Sequence, residues 1–77
     1  LASVSVYPNP TSGPVELLGD LTSLKSIELF DLNGLRLPVY SSNAQRSLDL
    51  SLYPAGLYWL RVTTSVGNTR TFKVVRR

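Results

Sequence analysis

The sequence predicts an all-β domain, namely a seven-stranded antiparallel β-sandwich of immunoglobulin-like type. Short alternations of apolar and polar residues recur along the whole chain, and Gly, Pro, Asn and Ser residues that favour turns separate them. No segment shows the 3.6-residue apolar period of an amphipathic helix. An open barrel is the alternative arrangement for the same strands.

The first two strands are predicted at residues 3–7 and 14–18. The loop between them carries Pro8 and Pro10, and Pro14 opens the second strand. Because each proline fixes its own φ and restricts the preceding residue, we expect an ordered loop with Asn9 in an extended conformation. A rigid turn explains these prolines, and a functional contact at Asn9 is the alternative.

The third and fourth strands are predicted at residues 24–31 and 35–40, paired as an antiparallel hairpin. The dipeptide Asn33-Gly34 favours a tight turn, because both residues tolerate positive φ at the central positions. Asp31 is expected to accept hydrogen bonds from turn amides. A calcium site at Asp31 and Asn33 would need further acidic residues, which the next segment lacks. Pro38 predicts an edge strand or a bulge.

After a loop at residues 41–44, the last three strands are predicted at residues 45–50, 56–62 and 69–76. The strand at 56–62 holds the only Trp of the chain and is apolar on both faces, which is typical of a central strand. Pro54 and Gly56 suit a sharp turn into it. A hairpin at residues 65–68 leads into the final strand.

The composition argues against most kinds of catalytic and metal-binding site. The chain of 77 residues has neither Cys nor His and only five carboxylates, which lie singly along the predicted strands and turns. We therefore expect one domain with no catalytic residues, no metal site and no cofactor. The net charge of +3 and the core positions of Tyr58 and Phe72 argue against nucleic-acid binding. No run is long enough to span a bilayer.

Four of the eight basic residues lie in residues 70–77. These charges either keep an exposed edge strand from aggregating or contact a partner. The same edge makes a strand-swapped or edge-paired homodimer possible.

Four blocks together resemble the C-terminal sorting domain of type IX secretion cargo. They are Tyr7-Pro8-Asn9-Pro10 followed by Gly13, the segment 27–34, the segment 52–62 with Gly56-Leu57-Tyr58 inside it, and the terminal Lys73-Val74-Val75-Arg76. Their order and spacing match over almost the whole chain.

The resemblance implies a non-enzymatic, immunoglobulin-like domain that ends a longer precursor in Bacteroidetes. Such a domain directs its cargo from the periplasm across the outer membrane to the cell surface or the medium. Translocon or shuttle components are the implied readers. A surface transpeptidase usually removes the domain and joins the cargo to an anionic lipopolysaccharide, so membrane association would come only through that machinery or attachment. Some machinery components instead keep their domain.

The implied recognition residues are Tyr7, Pro8, Asn9, Pro10, Gly56, Tyr58, Lys73, Val74, Val75, Arg76 and Arg77. Asp31, Asn33, Gly34 and Trp59 are expected to have turn or structural roles. The alternative function is that of a structural immunoglobulin-like accessory or adhesive module without a sorting role.

Overall fold

The computed structural model describes residues 4–19, 21–22, 24–42 and 46–77. Within these residues the chain contains strands and no helix, so no helix there is long and apolar enough to cross a membrane. The strands are β1 (Ser5–Tyr7), β2 (Pro14–Leu18), β3 (Leu24–Phe30), β4 (Arg36–Leu37), β5 (Ser41–Ser42), β6 (Ser47–Asp49), β7 (Gly56–Thr64) and β8 (Thr69–Arg76).

The strands form two antiparallel sheets, ordered β1-β2-β6-β5 and β4-β3-β7-β8. This is the order of an immunoglobulin sandwich, with A-B-E-D in the first sheet and C-F-G in the second, and β4 is added beside the C strand. The predicted all-β antiparallel sandwich is confirmed. β7 lies between β3 and β8, as predicted for the Trp-containing strand, and β8 is an edge strand.

Apolar residues at alternate positions of the strands point inward and form the core. On β2, Val15 and Leu17 point inward, and on β7 the inward residues include Leu60 and Val62. Truncating one large residue of such a core to Ala typically lowers the free energy of unfolding by about 2–5 kcal/mol. The buried apolar residues are Val4, Val15, Leu17, Leu21, Leu29, Leu48, Leu50, Tyr58, Leu60, Val62 and Val74.

The seven predicted strands are present with shifted bounds, and the described residues add an eighth. The predicted fourth strand is reduced to β4, because Pro38 has no N–H with which to continue the ladder. The chain then crosses to the first sheet, where Ser41–Ser42, predicted as loop, pair with β6. The predicted edge position is confirmed, since β4 is outermost. Ser3, Gln45 and residues 43–44 lie outside the described residues.

The β3–β4 hairpin is confirmed, but its turn differs from the predicted one. The Gly34 N–H donates to the Asp31 carbonyl oxygen (3.1 Å), so Leu32 and Asn33 occupy the centre of the turn rather than Asn33 and Gly34. Asp31 explains the difference, because its Oδ1 accepts from the N–H groups of Asn33 (2.8 Å) and Leu35 (2.9 Å). Gly34 then follows with φ +82°, a conformation that favours glycine.

The β7–β8 hairpin is built in the same way. The Gly67 N–H donates to the Thr64 carbonyl oxygen (3.0 Å), and Gly67 has φ +90°. Thr64 is buried, and its hydroxyl oxygen accepts from the Asn68 N–H (3.2 Å) in the way that the Asp31 carboxylate serves the first hairpin. This turn fixes the register that places Lys73 beside Trp59.

Candidate recognition surface at the joined chain ends

The loop from Tyr7 to Pro10 leaves β1 and runs along the outer edge of β8. Tyr7 is 62% exposed, and Asn9 and Pro10 are also exposed. The peptide bonds Tyr7-Pro8 and Asn9-Pro10 are both cis. The loop thus connects the first sheet to the open edge of the second.

Asn9 takes the place of a neighbouring strand. Its Nδ2 donates to the Lys73 carbonyl oxygen (2.6 Å), and its Oδ1 accepts from the Val75 N–H (2.9 Å). One carboxamide therefore satisfies two outward-facing backbone groups of β8. The ordered loop that the prolines predict has its physical basis in these two bonds.

Thr11 continues the cover along the same edge. Its N–H donates to the Val75 carbonyl oxygen (2.8 Å), and its own carbonyl oxygen accepts from the Arg77 N–H (2.8 Å). The two segments form an isolated parallel bridge, Thr11 with Arg76. Thr11 is fully buried, and its hydroxyl donates to the Pro14 carbonyl oxygen and accepts from the Gly13 N–H (3.0 Å). Residues 9–11 therefore cover the C-terminal half of the β8 edge, from the Lys73 carbonyl onward.

This closure limits which backbone groups of β8 can pair with another chain. The C-terminal part of the strand, from the Lys73 carbonyl to Arg77, is already covered by Asn9 and Thr11. The backbone N–H and C=O of Thr71 and the N–H of Lys73 point to the same outer edge, because backbone groups of residues two apart on a strand point to the same side. No partner for these groups is found among the described residues.

The basic residues near the C-terminus differ in what they contact. Arg76 donates from Nε to the Leu50 carbonyl oxygen (3.2 Å), which holds β8 against the first sheet. Arg70 donates from Nη1 to the Val4 carbonyl oxygen (3.2 Å). Lys73 and Arg77 are exposed, and no carboxylate of the described residues forms an ion pair with either side chain. These two cations are the ones available to a partner.

A comparison with protein-family models assigns the chain to a family. The family model described as "Secretion system C-terminal sorting domain" matches residues 5–76. The chain belongs to this family. A search of the curated proteins finds no match.

The sorting domain is thus a type IX secretion signal by family, and the family implies interaction with the type IX secretion machinery and export across the outer membrane. Sorting domains of this family are not catalytic. Among the described residues, no group of three or more His, Cys, Asp or Glu side chains is placed to hold a metal ion.

The implied recognition residues fall into two sets in this sorting domain. Tyr7 to Pro10 and Lys73 to Arg77 come together at one edge through the Asn9 and Thr11 bonds. Gly56 begins the neighbouring strand β7, where it pairs with Arg76 on the inner side of β8. Val74 lies in this strand but points into the core, where it is 1% exposed.

Tyr58 is a core residue of the sorting domain. It is 5% exposed, and its hydroxyl donates to the Pro54 carbonyl oxygen (2.6 Å), four residues back. Such a bond at the start of the F strand is the tyrosine corner of immunoglobulin-like sandwiches. The ring of Tyr53 packs against that of Tyr58 in a tilted arrangement with centroids 6.1 Å apart, so aromatic contacts hold the segment before β7. Tyr58 has little surface left for a partner.

Two pKa shifts arise between the end of β6 and the start of β7. The pKa of Asp49 lies below its ordinary value, because the Ser51 hydroxyl and N–H both donate to Oδ1 (2.5 and 2.9 Å) and the charge of Arg76 adds to this. Desolvation raises the pKa of the Tyr53 hydroxyl, and the nearby tyrosines add to the shift. Neither group lies in an arrangement typical of acid–base catalysis.

Thr11 is the residue that sequence reasoning missed. It follows three loop residues and precedes Ser12-Gly13, so its local pattern indicates an exposed turn. Only the pairing with β8 makes it a buried residue, and no local pattern reports that pairing. Trp59, expected to be structural, lies on the outer face of the second sheet and is 38% exposed.

Proposed function

We propose that this domain directs a cargo protein from the periplasm across the outer membrane of a Bacteroidetes bacterium for surface attachment or release. The observation that carries the proposal is the joining of the two terminal motifs, since Asn9 holds Lys73 and Val75 through both atoms of its side-chain amide. A reader that binds this edge contacts the first and the last motif at once.

The proposed contact surface consists of the exposed side chains at that edge, which are Tyr7, Pro10, Lys73 and Arg77. Tyrosine and arginine are frequent among the residues that dominate protein interfaces. Translocon or shuttle components would read this surface. A surface transpeptidase would then separate the domain from its cargo and join the cargo to an anionic lipopolysaccharide.

Edge pairing offers a second mode of association for the same domain. The Thr71 part of the β8 edge faces outward without cover among the described residues, so a partner strand could add there. A homodimer formed in this way is part of the proposal. Its extent along β8 would be short, because Asn9 and Thr11 cover the remainder.

Export of a reporter tests the proposal. A fluorescent protein carrying a signal peptide and this chain at its C-terminus is expressed in a type IX-competent strain and in a translocon-deficient mutant. We expect surface or secreted fluorescence only in the competent strain. Folded reporter retained in the periplasm of both strains would refute the sorting role and favour a structural accessory or adhesive module.

The contact residues need side-chain substitutions rather than truncation. Removing residues 73–77 would delete Val74 from the core, so lost export could reflect unfolding. The double variant Lys73→Ser/Arg77→Ser keeps the backbone and should reduce export. The control Lys25→Ser/Arg46→Ser removes two exposed cations elsewhere and should export normally. Equal export of the two double variants would remove Lys73 and Arg77 from the contact surface.

A further inference from the structure

The outer face of the second sheet carries a row of side chains, of which only Lys73 belongs to the proposed edge surface. The register places Arg36 opposite Phe30, Phe30 opposite Trp59, and Trp59 opposite Lys73. All four point away from the core, because the residues next to them, such as Leu29 and Tyr58, point inward. With strands about 4.8 Å apart, the row is roughly 14 Å long.

The centre of this row is aromatic and held in place. The guanidinium of Arg61 lies 5.0 Å from the ring centroid of Phe30 and contacts Glu28 through Nε (2.9 Å) and Nη2 (2.7 Å). Arg61 thus covers one aromatic ring and leaves Trp59 exposed beside it. The fixed geometry lowers the entropic cost of binding at Trp59.

Positive charge surrounds the exposed ring. Arg36 and Lys73 lie at the two ends of the row, and Arg61 lies next to Trp59 on the same strand. Glu28 is the only carboxylate on this face among the described residues, and it already contacts Arg61 and, at 3.7 Å, Arg36. Three cations against one carboxylate leave the face positive.

The shape of the face argues for a protein partner rather than a small molecule. An open, shallow depression of about 280 Å³ is lined by Phe30, Gly34, Trp59, Arg61 and Thr71. Small-molecule pockets are usually larger and enclose most of the ligand. A shallow aromatic site flanked by arginine is typical of protein interfaces.

A second copy of the chain does not fit a symmetric contact on this face. An isologous dimer would bring Arg36, Arg61 and Lys73 of one copy against the same cations of the other. Such like-charge contacts disfavour association. The positive charge of the face instead favours an acidic occupant.

We propose that this face, defined by Arg36, Phe30, Trp59, Arg61 and Lys73, docks an acidic partner protein that places an apolar side chain on Trp59 between carboxylates. The inference rests on the proposed sorting function, because it assigns the partner to the export route. It adds a second contact, on a sheet face, to the contact at the β8 edge. Charge complementarity selects the partner, and Trp59 becomes the buried centre of the contact when the partner binds.

The test uses the reporter fused to the full chain, with Trp59→Thr and Arg36→Glu as separate variants. Matched controls are Leu52→Thr, which removes an exposed apolar side chain, and Lys25→Glu, which reverses an exposed charge away from the row. Each purified domain is first checked for folding by circular dichroism. We expect export to fall about tenfold in both row variants and to stay near wild type in both controls.

A photo-crosslinking residue at position 59 then identifies the occupant in the exporting strain. We expect a crosslink to a protein whose affinity for the purified domain falls about tenfold between 50 and 300 mM salt, because surface charges are screened. Wild-type export by both row variants, or a crosslink only to a glycan, a nucleic acid or a second copy, would overturn the inference. Failure of the wild-type reporter to be exported would instead refute the sorting function, and this inference with it.

Discussion

Replacing Asn9 with Ala should loosen the join between the two ends of the chain. The substitution removes the bond from Nδ2 to the Lys73 carbonyl oxygen (2.6 Å) and the bond from the Val75 N–H to Oδ1 (2.9 Å). Both bonds are exposed, so water can replace the lost partners. With about 0.5 to 1 kcal/mol for each exposed bond, we expect the loss of both to lower the free energy of unfolding by about 1 to 2 kcal/mol.

Urea unfolding followed by Trp59 fluorescence measures this loss, since Trp59 is the only Trp of the chain. In thermal unfolding the same change corresponds to a fall in Tm of roughly 4 to 16 °C for a domain of this size. Asn68→Ala is the matched control, because the hydrogen bonds that Asn68 forms in the structure use only its backbone and survive the substitution. We expect this control to stay within about 0.5 kcal/mol of wild type.

Amide hydrogen exchange separates a local effect from a global one. The Val75 amide should lose protection in Asn9→Ala by more than the global loss of stability predicts, because its acceptor is gone. The Arg77 amide, which donates to the Thr11 carbonyl oxygen (2.8 Å), should follow if the loop leaves the edge. Wild-type stability together with unchanged Val75 protection would refute the idea that Asn9 joins the two motifs.

Three further predictions concern residues around this edge and the segment before β7. Tyr58→Phe removes the hydroxyl bond to Pro54 and should cost about 1 to 2 kcal/mol in urea unfolding, and a change below about 0.5 would contradict the tyrosine-corner role. Gly13→Ala should cost about 1 to 3 kcal/mol, because the new methyl group would overlap Ser51 Oγ and the φ of +154° at Gly13 disfavours a side chain. In a Ser51→Ala background the same substitution should cost less, and an unchanged cost would show that backbone strain alone is responsible. The pKa of Asp49 is lowered from 3.8, so its stabilising contribution is present above that pH and is lost as the pH falls through the folded-state pKa. Asp49→Asn should therefore flatten the acid side of a plot of Tm against pH, and an unchanged slope would contradict this.

Local alternation was sufficient to predict most strands and their faces. Val15 and Leu17 alternate with exposed neighbours, and the structure buries both. The β3–β4 hairpin followed from Asn33-Gly34, but the turn moved by one residue because the Asp31 carboxylate binds two turn amides. Sequence rules for turns use backbone preferences, and a side chain that bonds the turn can change the outcome.

Contacts between distant segments were beyond those patterns. Asn9 and Lys73 are separated by 64 positions, and nothing in either local sequence indicates their contact. The same limit applies to β5, where two serines join β6 although they carry no strand preference. The resemblance to the family indicated both terminal motifs as recognition elements. Only the folded structure shows that they lie at one edge.

The joined edge gives a physical reason for a sorting signal to be a folded domain. In an unfolded chain, the Tyr7 loop and the Lys73 segment would be separated by a long flexible loop, and bringing them together would cost closure entropy. The folded domain already holds the two motifs together, so a receptor for both motifs would bind it more tightly than the unfolded chain. Asn9→Ala then becomes informative for export as well as stability. If the receptor binds both motifs at a fixed spacing, Asn9→Ala should lower export by more than it lowers the folded fraction. If the receptor binds one motif alone, export should fall only in proportion to the folded fraction.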